Sequence, residues 1–204
     1  MRMVINLLRL RRIVLVLLLL ALLVVVLINS SWFWKIFYPL PYREAIFSSA
    51  RQFRVDPYLI AAVIRVESRF YARAESHRGA RGLMQIMPET AAWAAREMGL
   101  EFHEDKLFEP EFNILIGTWY LANLQAEFQN NLPLVLAAYN GGRGNVRHWL
   151  EKKPKDRQYG DLEWIPFAET RYFVQKVLRD YRMYRRLYAS EHAGESVNPY
   201  FLGK

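Results

Sequence analysis

Glu67 follows Leu59-Ile60-Ala61-Ala62-Val63-Ile64-Arg65-Val66, a run with one polar member. An ionised carboxylate is costly to bury unless it is paired or neutralised. Glu67 stands four residues after Val63 and three after Ile64, so on a helix it shares their face. A carboxyl held protonated there by desolvation can act as a general acid near neutral pH. The competing arrangement is a helix-end glutamate paired with Arg65 or Arg69. On this pattern alone the ion pair is the commoner outcome.

Three other stretches carry chemistry-capable residues. RGARGLMQIMPET, residues 78–90, sets one amide, Gln85, among apolar neighbours after two glycines. Gln85 could hydrogen-bond a sugar hydroxyl or an N-acetyl group, or it could be an exposed residue on a packing turn. AAYNGGRGN, residues 137–145, delivers Tyr139 and Asn140 at the end of an apolar segment and then turns on glycine. It is not a phosphate loop, because no Lys-Ser or Lys-Thr follows and no strand precedes it. PFAETRYFV, residues 166–174, puts Glu169 near a helix start. His77, His103, His148 and His192 are scattered and form no His-x-x-x-His pair, so neither a metal site nor a cofactor is expected.

The elements that position these residues read as helices, with almost no strand alternation. The spacing predicts helices over 42–53, from Asp56-Pro57 to about Ser68, from Pro88 to Gly99, and from Pro110 to Phe128. The last of these has Phe112, Leu115, Ile116, Trp119, Leu124 and Phe128 facing inward. A short helix over 132–139, a turn over 146–150 and a long helix after Pro166 complete the set. The Tyr-rich final helix reads as core and snorkelling surface, and its arginines 179, 182, 185 and 186 as a solvated face. Residues 71–87 and 151–164 are connections, and 191–204 a mobile tail.

The first forty residues differ in kind. Ile13 to Ile28 is sixteen residues without a polar side chain. Leu7, Leu8 and Leu10 before it and Trp32, Phe33, Trp34, Phe37 and Tyr38 after it extend the stretch enough to span a bilayer core, about 20 residues. Residues 1–41 carry five basic residues and no acid, whereas the remainder carries 23 basic and 20 acidic residues. Cations concentrated beside an apolar segment point to membrane orientation and not to nucleic acid. A cleaved signal is the competing reading, but no Ala-x-Ala site follows Leu27. The expectation is a single-pass anchor and linker, 1–41, with a domain over 42–190 on the extracytoplasmic side. There is no cysteine, so that domain has neither a disulfide nor a lipidated thiol and relies on its core.

In order, ES at 67–68, GLMQIMP at 82–88, AAYNGG at 137–142 and IPFAET at 165–170 resemble the catalytic domain of soluble lytic transglycosylases. The resemblance covers residues 42 to about 188 and implies a mainly α, lysozyme-like domain. It implies peptidoglycan as substrate and partner, with cleavage between N-acetylmuramic acid and N-acetylglucosamine. Glu67 matches the family's catalytic acid. It would protonate the glycosidic oxygen and then accept the proton of the muramic 6-hydroxyl, leaving a 1,6-anhydromuramic end. Ser76 matches a polar residue near the site, Gln85 and Met87 match cleft-lining residues, and Tyr139 and Asn140 match the pair beside the acid, where the phenol can support it. Glu169 matches a glutamate across the cleft. The family usually has a tyrosine three or four residues later, where this chain has Phe173, with Tyr172 just before it. Two other readings stay open: a hydrolytic muramidase of the same fold, and a non-catalytic peptidoglycan-binding module.

Overall fold

The computed structural model describes residues 7–152 and 162–192. The expected connection over 151–164 and the expected tail over 191–204 fall mostly outside these residues. What is described of them is the end of a helix at Glu151 and Lys152, where a connection was expected, and two 3-10 turns, Leu162–Trp164 and Ala189–His192. Backbone contacts divide the chain into two units, residues 1–39 and 40–204.

The first unit is a 23-residue helix, α1 (Leu7–Asn29), followed by a short one, α2 (Ser31–Phe37). At 1.5 Å per residue α1 is about 35 Å long, enough to cross a hydrocarbon core. Its apolar side chains are exposed along their length. The aromatic cluster falls on the second helix and does not prolong the first. The chain is extended at Ser30 (φ −79°, ψ 127°) and restarts as α2. The Trp34 indole donates to the Ile28 carbonyl at 2.6 Å, which ties the restart to the preceding turn.

The second unit is helical. It comprises α3 (Arg43–Phe53), α4 (Pro57–Glu67), α5 (Pro88–Glu97), α6 (Pro110–Glu127), α7 (Leu132–Gly141), α8 (Arg143–Lys152) and α9 (Ala168–Tyr188). No strand occurs among the described residues, only isolated bridges between Glu75 and Arg81 and between Arg81 and Ile86. α4 starts where the sequence requires: Asp56 caps it by accepting from the Tyr58 N–H at 2.8 Å, and Pro57 fills the first turn. Leu59 to Ile64 are wholly buried, so α4 runs through the domain interior. It packs chiefly on α9, which also packs on α7. Tyr181 of α9 donates to the Asp56 carboxylate at 2.8 Å, and Tyr58 donates to the Tyr188 carbonyl at 3.1 Å. Tyr181 and Tyr184 of α9 are thus core residues, and the Tyr181 hydroxyl is satisfied at the rim, whereas Tyr172 is exposed.

α6 departs from the expected one-sided stripe. Phe112, Leu115 and Trp119 are only half-buried, while Asn113, Ile114, Gly117, Thr118, Leu121 and Gln125 join Ile116 and Leu124 in the interior. The cause is position: α6 packs on α3, α5 and α7, so it has no solvent face wide enough for a clean amphipathic pattern. α8 is also longer than the turn expected over 146–150. Gly142, at φ +88°, reverses the chain in one residue, and a new helix starts at once.

Candidate active site

One cleft of about 980 Å³ opens between the end of α4, the irregular segment 76–87, the end of α7 and the start of α9. All seven residues singled out in the sequence line it: Glu67, Ser76, Gln85, Met87, Tyr139, Asn140 and Glu169. They come from four separate segments and meet only through the fold.

Glu67 is the last residue of α4. Among the described residues it has no ion pair. Arg65, one proposed partner, lies against the buried carboxylate of Asp180 on α9 at 3.3 Å. Arg69, the other, sits one residue past the helix cap in the left-handed region at φ 52°. The ion-pair reading of Glu67 therefore fails. Burial pushes the Glu67 carboxyl from 4.5 up to about 8, and the negative charge of Glu169 adds to the rise. At pH 7 about nine in ten molecules carry the proton.

The wall opposite is an unusual piece of chain. Gln85 is held at φ 48°, a conformation few non-glycine residues adopt. Its own side chain stabilises it there. The amide nitrogen donates to the Ala74 carbonyl at 3.1 Å and the Gly82 carbonyl at 2.9 Å. The amide donors are thus occupied, which leaves the amide oxygen to face a ligand. Ser76 is similar: its hydroxyl oxygen accepts from the Ala80 N–H at 3.0 Å and closes a tight turn. Met87 caps α5 and stays partly exposed at the cleft edge.

Asn113, missed in the sequence, holds this wall to α6. It is fully buried, accepts from the Met84 N–H at 2.7 Å and donates to the carbonyls of Arg81 and Leu107 at 2.9 and 2.8 Å. Gly82, at φ +77°, presses so closely on Asn113 and Leu107 that a Cβ would overlap both. Ser68 adds a further tie, donating to the Leu83 carbonyl at 2.7 Å.

Tyr139 does not direct its proton toward the acid. Its hydroxyl donates to the Met84 carbonyl at 2.7 Å, another staple on the same wall. Only the phenol oxygen's lone pairs remain for Glu67. Burial, then the nearby Glu67 charge, lifts the Tyr139 phenol well above its usual range. Phe173 is buried and stacks parallel to Tyr139, with centroids 6.3 Å apart. Tyr172 is 61% exposed and lies beneath the Lys176 ammonium, so it supplies no hydroxyl in place of the expected tyrosine.

The cleft also contains His77, which the sequence reading weighed only as a metal ligand, and Arg78, Thr90, Tyr120, Asn145 and Phe167, to which it gave no role in a site. Tyr120 had a signal, since it stands four residues after the inward-facing Ile116 and carries a polar tip. Among the described residues no cluster of three His, Cys, Asp or Glu could hold a metal ion.

The transglycosylase SLT domain family model matches residues 44–161. The chain belongs to this family. Over 159 residues it is 36% identical to the soluble lytic murein transglycosylase of Salmonella typhimurium, a match covering 76% of this chain and 25% of that protein. It is 32% identical over 167 residues to the membrane-bound lytic murein transglycosylase C of Sodalis glossinidius, covering 71% of this chain and 47% of that one. Lytic transglycosylase Slt of Pseudomonas aeruginosa, solved as an inactive glutamate-to-glutamine mutant, matches with a TM-score of 0.69 and 36% identity over 74% of this chain and 25% of that one. The 70-kDa soluble lytic transglycosylase solved with bulgecin A gives 0.68 and 33% over 76% and 25%. The chain thus spans a quarter to a half of the length of these relatives. The all-helical, lysozyme-like domain expected from the sequence is the fold of this family.

Proposed function

We propose that the chain is a peptidoglycan lytic transglycosylase with Glu67 as its sole acid and base. The observation that carries this reading is the Glu67 carboxyl, without an ion pair, desolvated and protonated at neutral pH, in a cleft lined by residues able to contact sugar hydroxyl and N-acetyl groups. Glu67 gives its proton to the glycosidic oxygen, the muramic C1–O bond breaks, and positive charge develops at C1. The muramic 6-hydroxyl then attacks C1 and returns its proton to Glu67. Protons balance, no water enters, and the product ends in a 1,6-anhydro ring. Gln85 Oε1, Asn140 and the Ser76 hydroxyl serve as sugar contacts, Met87 as an apolar edge, and Glu169 as a negative charge across the cleft.

Glu169 also supports a second reading. Two carboxyl groups in one cleft are the equipment of a hydrolase, in which the second activates water or attacks the sugar. Digestion of sacculi followed by mass spectrometry separates the two. Lytic cleavage yields fragments one water lighter than hydrolysis does, and Glu67→Gln yields none. Reducing ends from the wild type would establish the hydrolase, and cleavage by Glu67→Gln would remove Glu67 from the chemistry.

The chain has membrane-bound relatives and an N-terminal helix long and apolar enough to cross a bilayer. We read α1 as a single-pass anchor with the second unit on the extracytoplasmic side. The supports are Arg9, Arg11 and Arg12 before the apolar run and Trp32 and Trp34 after it.

A further inference from the structure

The cleft contains an arginine that a neutral sugar chain would not use. Of the arginines in segment 71–87, Arg81 is committed: it pairs with Glu75 at 3.1 Å and Glu104 at 2.6 Å and lies over the Phe108 ring. Arg73 does not line the cleft. Arg78 does, is exposed, and among the described residues has neither an ion pair nor a hydrogen bond. His77 lines the cleft beside it.

The backbone beneath Arg78 is fixed. The Ser76 N–H donates to the Ala80 carbonyl at 2.9 Å, the Gly79 N–H to the Ser76 carbonyl at 2.9 Å, and the Ala80 N–H to the Ser76 hydroxyl. Arg78 thus sits exposed on a closed turn that lines the cleft. Sugar hydroxyl and amide groups have partners elsewhere in the cleft, in Gln85, Thr90, Tyr120 and Asn140. A guanidinium fork is suited to a planar anion, above all a carboxylate.

We propose that Arg78, flanked by His77, is a carboxylate-reading rim of the cleft that selects strands by the acidic substituent on the muramic sugar. This rests on the peptidoglycan reading above. The carboxylate has two sources: the peptide stem, or the lactyl group of a muramic sugar that has lost its stem.

The test uses the full chain in detergent, with Glu67→Gln to prevent turnover. Binding is measured to three tetrasaccharide ligands: peptide-bearing glycan, the same glycan stripped by an amidase, and neutral chitotetraose. Adding Arg78→Gln should weaken binding of at least one acidic ligand about 3- to 10-fold and leave chitotetraose unchanged. The loss should shrink as salt is raised, and Arg78→Lys should recover part of it. Loss confined to the peptide-bearing ligand assigns the stem carboxylate, loss confined to the stripped ligand assigns the lactyl carboxylate freed with the stem, and loss on both shows that the rim accepts either. Equal loss on chitotetraose, or no loss on either acidic ligand, overturns the proposal. If the wild type releases nothing from sacculi, the function proposed above fails. If it is active and Arg78→Gln binds all three ligands as before, only this inference fails.

Discussion

Replacing Glu67 with glutamine should stabilise the protein relative to the wild type increasingly as pH rises above 4.5. Glutamine keeps the shape of the protonated acid but cannot ionise. In the folded chain the Glu67 carboxyl titrates at about 8, against 4.5 when free. Below pH 4.5 both the folded and unfolded chains carry the proton, and the group favours neither. Between the two values the unfolded chain releases its proton while the folded chain keeps it. The unfolded state then binds fewer protons, so stability falls as pH rises. The fall is complete above the folded value. A separation of about 3.5 units corresponds to about 5 kcal/mol at 1.36 kcal/mol per unit. For a chain of this size that is about 10–20 °C in melting temperature.

The assay is thermal unfolding of wild type and Glu67→Gln, followed by helical circular dichroism in detergent from pH 4 to 9. Other titrating groups are common to both proteins and largely cancel in the difference. The two melting temperatures should differ by a fixed amount near pH 4, and the variant should gain on the wild type as pH rises from 4.5 to 8. A difference that stays flat across this range would refute the claim that the fold desolvates Glu67, whatever the enzyme does with its substrate.

Two further outcomes follow from the same geometry. Glu169→Gln removes the negative charge that adds to the rise at Glu67, so the alkaline limb of the pH–activity profile should move to lower pH. An unmoved limb would mean that the two groups do not sense each other. Asn113→Ala removes the partner that the amide gives the Met84 N–H and the Leu107 carbonyl in the interior, and takes one of two donors from the Arg81 carbonyl, which keeps the Ile86 N–H. It should cost about 3–5 kcal/mol in urea unfolding, and a loss under 1 kcal/mol would show that Asn113 is not the anchor of the wall.

Local signals made much of this structure legible. Asp56-Pro57, Pro88 and Pro110 mark helix starts because capping and proline geometry act within one turn, and α4, α5 and α6 begin there. The burial of α4 was legible for the same reason: six consecutive apolar residues have no exposed side to occupy. The seven cleft residues were found through motif order, since their spacing along the chain gives no hint that 67, 85, 139 and 169 converge. What could not be read was which partner each polar atom takes. Arg65 looked available to Glu67, but Asp180, 115 positions later, takes it. Tyr139 was expected to support the acid without a stated partner, and its hydroxyl donates to a carbonyl 55 residues earlier. The α6 stripe failed because a central helix has neighbours all round, and neighbours are a property of topology.

The wall facing Glu67 has little regular structure of its own, so its shape depends on side chains from elsewhere. Asn113 of α6 holds Met84, Arg81 and Leu107. Tyr139 of α7 holds the Met84 carbonyl from the other side, and Ser68, just after Glu67, holds Leu83. Met84 is therefore gripped at both its N–H and its C=O, one residue before the strained Gln85. Strain at a cleft residue persists only where the surroundings over-determine it, and here they do. This arrangement also accounts for the role of Tyr139. A phenol that donated to Glu67 would favour the carboxylate and lower its pKa. A phenol that spends its proton on Met84 leaves the acid unassisted as an anion, and desolvation then keeps it protonated. One hydrogen bond thus shapes the wall and withholds a donor from Glu67, whose burial keeps it protonated.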